Sequence, residues 1–564
     1  MSSATPTPGT SPVRRLSLAG VLRLRRPSEI WFKPALSSVA AVAPPNLLLL
    51  ALGRLDLAMY TMAGSLCALY AHNRPYAARA RTLAWVVLGM IGGLAVALVT
   101  ASLTRDAVVL VTVGALLAAV HKALCDATRV GPPGNVVLTF ISSAALFVPQ
   151  TLGQIPGHLA LAAAAGVWAW LVGMAPAPIR PHGPERRATA QALNAAAAYA
   201  AAHGAGTDED HAPARAAGYA AVQAAWQTLL ALPSTGARAA TRHALERLVV
   251  RAEVALAAPA DTDPERLRAW ARALRGGGRI PRTGDAPADT DELLGVDAEL
   301  ATRPAPPWRR LGPLAPIAVR TALGCALAGY ASLALGIGRP YWALVTAAAL
   351  YQANLTLTWS RAVQRVVGNL AGVLLFAAIA PLAHLGQALL VLCCLALNFG
   401  AEALITRNYW LGSVCVTPMA LLVTEFAGYQ ATGDLMTERA VDTVVGALVG
   451  FLAAVVVTNR RAGNRVEQAV TAADRARERA ARLLAEPAPA PGALEAARRG
   501  LAVALTDLRA TADGAAGEWW GRALPQERVV LAERSGHRTL AEAVRRQAVR
   551  PDRDAGTRTE DVRP

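Results

Sequence analysis

The sequence predicts an all-α, polytopic membrane protein of about 12 transmembrane helices, arranged as two parallel six-helix repeats with helical cytoplasmic regions. Three observations predict it. The 564 residues are 54% hydrophobic and only 17% charged, with a mean hydropathy of +0.33, too apolar for an ordinary soluble enzyme. Apolar runs of membrane-crossing length fall into two blocks separated by polar, alanine-rich sequence. The two blocks also share their layout and several short matching segments.

Taken in order, residues 1–34 form a basic cytoplasmic N-terminus and 35–176 a first membrane block, with spans near 35–53, 56–71, 83–103, 107–124, 135–151 and 158–175. Residues 177–312 are a polar region with helical periodicity. A second block, 313–458, has spans near 315–336, 341–357, 366–383, 386–405, 409–424 and 440–458, and 459–564 is a second helical polar region ending in a disordered tail from Arg550. The second, fifth, eighth and eleventh spans are short. Arg14, Arg15, Arg23, Arg25 and Arg26 precede the first run as in a signal peptide, yet Pro44 and Pro45 interrupt that run and a second span follows at once. The reading is a retained first helix.

Orientation follows from arginine placement. A net charge of +17 would suit nucleic acid in a soluble protein, but here the charge sits beside apolar runs and anchors the chain at an anionic leaflet. With the N-terminus inside, Arg74, Arg79, Arg81, Lys122, Arg129, Arg361, Arg365, Arg407 and Arg460 fall on inner loops, whereas the outer loops hold isolated Arg54, Arg105, Arg339 and Arg439. Both termini and both polar regions are therefore expected in the cytoplasm of a cell-membrane protein.

The repeat is legible in fragments. LYAHN (69–73) lies over LYQAN (350–354), GMIGG (89–93) over GNLAG (368–372), and Ala165 and Ala169 over Gly446 and Gly450. An even number of spans per block makes the two copies parallel. Gly89 and Gly93, Gly368 and Gly372, and Gly446 and Gly450 are each one helical turn apart, the spacing of a smooth face for close helix packing.

Motifs for catalysis are missing. No GxxxxGK[ST], HExxH or paired CxxC occurs, and all six cysteines lie in spans or at a span edge, so no ATPase motif, metal site or cofactor site is expected. Ionisable groups within spans usually face a cavity or a partner. Arg361 and Arg365 lie in a polar knot from Asn354 to Arg365, read as a cytoplasmic turn. They serve either as topology anchors or as two guanidinium forks for a carboxylate. Tyr351, Asn354 and Trp359 approach the same place, with Arg79 and Arg81 as its first-block counterpart. Asp442 and Glu402 are the proton-carrier candidates, each with a structural alternative: a bridge from Asp442 to Arg439, or from Glu402 to Arg407.

Two segments resemble the fusaric acid resistance (FUSC) family of membrane transporters, which includes bacterial aromatic acid exporters. They are YWALVTAAALYQANLTLTWSRAVQRVVGNLAG (341–372) and RAVDTVVGALVGFLAAVVV (439–457). The elements that match are Pro340, Tyr341 and Trp342; the R-x3-R-x2-G run of Arg361, Arg365 and Gly368; and Arg439, Asp442, Thr443 and Gly446. Asn369 stands where many members carry Thr, and the first block lacks the Tyr-Trp entry and the Asp-Thr pair. The resemblance implies a six-plus-six helix transporter exporting organic acids.

The expected function is thus secondary export of small organic, aromatic carboxylic acids, with the bilayer and an organic anion as partners, a homo-oligomer as an option, and no nucleic acid. The alternatives are a passive anion channel with an arginine-lined pore, and a membrane scaffold acting through its cytoplasmic helices. An enzyme is not expected. Reporter fusions test the topology: a reporter placed at Ala260 is expected to report the cytoplasm, and an external location there overturns the assignment of both polar regions.

Overall fold

The structure, a computed structural model, describes residues 16, 18–24, 31–203, 208–230, 239–276, 278–282, 311–352, 354–457, 462–490, 492–516 and 526–548. The expected tail from Arg550 and the arginines at 14, 15, 25, 26, 460 and 461 lie outside these. The first block comprises α1 (Phe32–Ala51), α2 (Ala58–Ser65, extended by single 3₁₀ turns at both ends), α3 (Tyr76–Leu103), α4 (Ala107–Thr128), α5 (Val136–Leu146) and α6 (Ile155–Met174). A short α7 (Pro176–Ile179) leads into the polar helices α8 (Gly183–His203), α9 (Asp208–Leu230), α10 (Ala239–Ala257) and α11 (Pro264–Arg275). The second block comprises α12 (Leu311–Ala334), α13 (Tyr341–Leu350), α14 (Leu355–Ala383), α15 (Gln387–Ile405), α16 (Tyr409–Thr424) and α17 (Thr432–Val456), and α18 (Ala462–Ala485), α19 (Ala493–Ala516) and α20 (Gln526–Ala548) close the chain.

Among the described residues, nine helices are long and apolar enough to cross a membrane, and three further apolar segments, Leu55–Leu69, Val136–Leu146 and Tyr341–Leu350, are shorter. The twelve expected segments are thus present, but three do not span by themselves. The reason is where they lie. All ten residues of α13 are buried, and it packs against α4 and α5 of the other block. A helix enclosed by protein need not match the bilayer thickness, because its ends are satisfied by neighbours rather than by lipid.

The hairpin at 341–383 corrects one expectation. The chain leaves α13 after Leu350, and the Asn354 side chain caps the next helix, its Oδ1 accepting from Leu357 N at 2.8 Å. A good N-cap here starts the helix early. Arg361 and Arg365 therefore lie inside α14, in its first three turns, and the connecting turn is only the few residues before Leu355.

The two blocks repeat one set of pairings. α2 packs on α6 as α13 packs on α17, and α3 packs on α5 as α14 packs on α16. Between blocks the contacts are reciprocal: the first helix of each block lies against the fourth of the other, α1 on α15 and α12 on α4. Each crossing carries a polar clasp. Asn398 Nδ2 donates to Ser38 Oγ at 2.9 Å, and Thr112 and Tyr330 share a hydrogen bond of 2.7 Å. Reciprocity of this kind is what two parallel copies facing each other produce.

The polar helices form a core of their own. Residues of α8–α11 and α18–α20, among them Leu193, Trp226, Leu248, Val466, Leu501 and Leu540, are buried together. Inside it Arg498 Nη2 donates to Glu253 Oε2 at 2.7 Å and to Glu495, while Trp226 Nε1 donates to Glu253 Oε1 at 2.6 Å. The two polar regions, distant in sequence, are thus one helical unit at one end of the membrane blocks, here called the polar end.

Glycine packing is selective. A Cβ at Gly368 would stand 2.5 Å from the Trp410 carbonyl oxygen and 2.6 Å from Ser413 Cβ; one at Gly372 would stand 2.7 Å from Thr417 Cβ. Gly446 and Gly450 likewise press on Ala343, Thr346 and Ala347 of α13, and Gly93 lies against His121 and Ser142. Gly89 is the exception, with nothing within 4 Å of its Cβ position, so it faces no neighbouring helix and the packing role expected for it is withdrawn. Gly368→Leu is expected to cost about 1–3 kcal/mol or more by overpacking, while Gly89→Leu leaves stability unchanged. Thermal unfolding of both variants in detergent checks this; equal stability would mean the α14–α16 contact is not close.

Candidate functional site

A cavity of about 2580 Å³ lies between the blocks. Its walls include Gly338, Arg339 and Gln430 in loops at the end opposite the polar helices, and Arg129, Asn408 and Arg465 at the polar end. Both blocks contribute. The aromatic wall is built across their interface: Phe147 and Tyr341 lie 5.7 Å apart, Tyr341 and Trp342 4.7 Å, and Trp342 and Phe140 5.6 Å. Phe140 and Phe147 come from α5 and the turn after it, Tyr341 and Trp342 from the start of α13, so the contact of the second helix of one block with the fifth of the other creates this wall.

Of the arginines on the cavity wall, three from the second block, Arg361, Arg365 and Arg439, are held against aromatic side chains. Arg361 lies with Cζ 3.9 Å above the centre of the Tyr409 ring. Arg365, one turn on, donates from Nη1 to Tyr409 Oη at 2.7 Å. One tyrosine thus serves both, its face to one cation and its hydroxyl to the next. Arg439 is deeper. Only 2% exposed, it lies with Cζ 4.2 Å over the Trp342 ring, and its Nε and Nη1 have no hydrogen-bond partner. A buried cation with two idle N–H groups is a ready receptor for an oxyanion, since each N–H offers a charge-assisted bond.

What holds Arg439 in place is the backbone beneath it. Thr443 Oγ1 donates to the Arg439 carbonyl at 2.7 Å, Asn369 Nδ2 donates to Thr443 Oγ1 at 3.1 Å, and Thr417 Oγ1 donates to Asn369 Oδ1 at 2.8 Å. This chain ties α17, α14 and α16 together at one depth. The asparagine is suited to it because one amide both donates and accepts.

The structure separates the other residues expected here. Tyr351 and Asn354 line the cavity, but Tyr351 Oη donates to the Gly450 carbonyl at 3.1 Å and Asn354 is the α14 cap. Trp359 is not on the cavity wall; it packs on Phe451, ring centres 5.2 Å apart, because it lies on the α17 side of α14. Arg79 is also off the wall, buried and bonded to His72, and Arg81 is exposed. On the wall the first block places Arg129 and Arg74, and the Arg74 guanidinium donates to Thr82 Oγ1 and to the carbonyls of Thr128 and Arg129. It is a clasp between α3 and the end of α4.

The two acidic residues part company as well. Glu402 lines the cavity near the polar end, and no ion pair joins it to Arg407, whose Nε is unpartnered. Asp442 is fully buried behind the wall, accepting from Ser332 Oγ at 2.6 Å with Oδ2 unpartnered. The bridge from Asp442 to Arg439 does not form: Arg439 turns to Trp342 and Asp442 to α12. Sequence reading placed Arg439 in an outer loop; it lies in the second turn of α17. The available signal was its place ahead of an uninterrupted apolar run in helical register with Asp442 and Gly446. At the opposite end Arg339 Nη1 donates to Glu438 Oε2 at 2.7 Å and Nη2 donates to Gln430, fastening the loop before α13 to α17.

Tyr409→Phe removes the acceptor of Arg365 but keeps the ring under Arg361. The expected cost is about 1–3 kcal/mol, and in an Arg365→Gln background that cost should vanish. A double-mutant cycle by thermal unfolding measures the coupling; additive effects would mean the bond is not made.

Residues 326–453, which run from α12 through α17, match the family model described as fusaric acid resistance protein-like. Over 141 residues the chain is 34% identical to the uncharacterized membrane protein YvaC of Bacillus subtilis (strain 168), an alignment that takes in 25% of this chain and 22% of that relative. No solved structure matches the chain. The second membrane block, which supplies Arg361, Arg365 and Arg439, is similar to fusaric acid resistance protein, and it sits in a multi-pass helical membrane protein.

Proposed function

We propose that the chain exports small organic acids, aromatic carboxylates above all, through the cavity between its blocks. The observation that carries this reading is Arg439: a buried guanidinium with two idle N–H groups, stacked on Trp342 in a wall of aromatic rings. A carboxylate satisfies the cation while an attached ring packs on the aromatic wall. Arg361 and Arg365 at the polar end attract the anion into the cavity. The polar end is the cytoplasmic side by the arginine asymmetry, so in this reading the anion enters the cavity from the cytoplasm.

No nucleotide-binding motif occurs in the sequence, so the driving force in this reading is the proton gradient or the membrane potential. Glu402 on the wall and Asp442 behind it are the groups that would carry a proton. A passive anion channel is the second reading, favoured by one feature: residues from loops at both ends line the same cavity. Accumulation of carboxylate against its gradient in proteoliposomes separates a carrier from a channel.

Replacing Arg361 and Arg365 together with glutamine is expected to lower carboxylate export at least about ten-fold, since each charge-assisted contact is worth roughly 1.5–3 kcal/mol, with near-normal insertion. The double lysine variant keeps the attraction and loses the planar fork, giving weaker apparent affinity. The measurement is export rate per molecule in the membrane. Wild-type export by the double glutamine variant would leave these arginines as anchors and move the search to Arg439.

A further inference from the structure

The first block has a polar corner of its own, apart from Arg361, Arg365 and Arg439. Arg79 on α3 is 6% exposed, and its Nη2 donates to His72 Nδ1 at 3.1 Å. A ring nitrogen that accepts carries no proton, so in a neutral ring the proton sits on Nε2. His72 lies in the loop before α3, where burial, with the charge of Arg79 adding to it, pushes the imidazole down to about 4; the ring is neutral at neutral pH. Arg79 Nε is buried and without a partner, while His72 also has a backbone hydrogen bond at Ala68. The corner thus presents one idle donor, on a guanidinium already bonded to His72. Such a group is rarely left unmatched, and what matches it must be an acceptor.

More positive charge gathers around this pair. Lys33 at the start of α1 feels Arg187 and Arg180, and Arg187 also acts on His72 and Arg79. The geometry agrees. A Cβ at Gly183 would stand 3.5 Å from Tyr76 Oη and 3.7 Å from Arg180 Cβ, and one at Gly173 would stand 3.7 Å from Arg79 Nη2. The start of α1, the start of α3, the end of α6 and the start of α8 converge here. Glu185 is the carboxylate within reach. His72 and Arg187 touch the edge of the central cavity; Lys33, Arg79 and Arg180 do not.

Position says what kind of anion fits. Lys33 and Arg180 are exposed, at the level where α1 begins and α6 has just ended. Trp31, Phe32 and Ile179, their immediate neighbours, are exposed and apolar. Cations beside exposed aromatic and aliphatic groups at the ends of spanning helices are the pattern of a headgroup layer, with charge for the phosphate and an apolar flank for the chains. We propose that this corner binds the phosphate of an anionic phospholipid, held outside by Lys33 and Arg180 and inside by the idle N–H of Arg79. Bound there, the lipid would join the first membrane block to α8, the first long helix of the polar unit.

The test uses the full-length protein in detergent, titrated with phosphatidylglycerol, phosphatidylcholine or inorganic phosphate and read by native mass spectrometry. Wild type is expected to retain phosphatidylglycerol over phosphatidylcholine. The exposed pair Lys33→Gln/Arg180→Gln should fold normally and lose about ten-fold or more of that preference, and Arg79→Gln should reduce it further. Equal retention of the two lipids by wild type, or an unchanged preference in both variants, overturns the site. Displacement of the lipid by millimolar inorganic phosphate alone would mean that phosphate is read without the chains, and overturns the assignment to lipid. None of these readouts depends on transport, so the result is independent of the export reading.

Discussion

An ionised guanidinium inside a membrane protein is tolerated only where something replaces water around it, and the second block is organised by that constraint. Arg439 has an indole face beneath it, and its backbone is fixed by Thr443, Asn369 and Thr417 on three helices. For those short side chains to meet, the helices must approach closely. Gly368 and Gly372 permit this between α14 and α16, and Gly446 lets α13, which carries Trp342, lie close on α17, each facing a backbone or β-carbon that a side chain would strike. The glycines, the asparagine and the tryptophan are therefore parts of one device.

The wall of that device needs the other block. Trp342 is supported on its far side by Phe140, and Tyr341 by Phe147. α13 can present these rings only because it is short and wholly enclosed, its neighbours α4 and α5 taking the place of lipid. The reciprocal crossings of α1 on α15 and α12 on α4 hold the halves in register, each with a polar clasp. The two copies have nevertheless diverged at the site. In the second block Arg361, Arg365 and Arg439 meet aromatic side chains on the cavity wall, whereas in the first Arg74 closes a helix junction and Arg79 lies behind the wall beside His72.

Much of the fold was legible because it depends on hydropathy: two blocks, twelve apolar segments, helical polar regions and a parallel repeat all follow from where apolar runs begin and end. The positions of side chains around each helix were harder to read. Arg361 and Arg365 were recognisable as cations in an apolar setting, but apolarity alone made them look like a turn. The Asn354 cap, which starts α14 ahead of them, reverses that reading. Trp359 was expected beside them by proximity in sequence, and a helix places it on another face. Arg439 looked like a loop residue because hydropathy rises only after it, though helical phase aligns it with Asp442 and Gly446. The union of the two polar regions rests on contacts between residues more than 200 positions apart, such as Glu253 and Arg498, which no local pattern encodes.

The segment ahead of α1 runs across the polar-end mouth of the cavity, where Ala19, Gly20, Val21 and Arg23 form part of the wall. It is gripped in a particular manner. Gln364 Nε2 and Asn408 Nδ2 donate to the Val21 carbonyl, Asn408 Nδ2 also to that of Arg23, and Trp410 Nε1 to that of Leu22. Every one of these bonds ends on main-chain oxygen. A strip held by its backbone can change its side chains without loosening, so the hold belongs to the receiving residues on α14 and at the head of α16. The threading of this strip is thus written in the groove and scarcely at all in the strip.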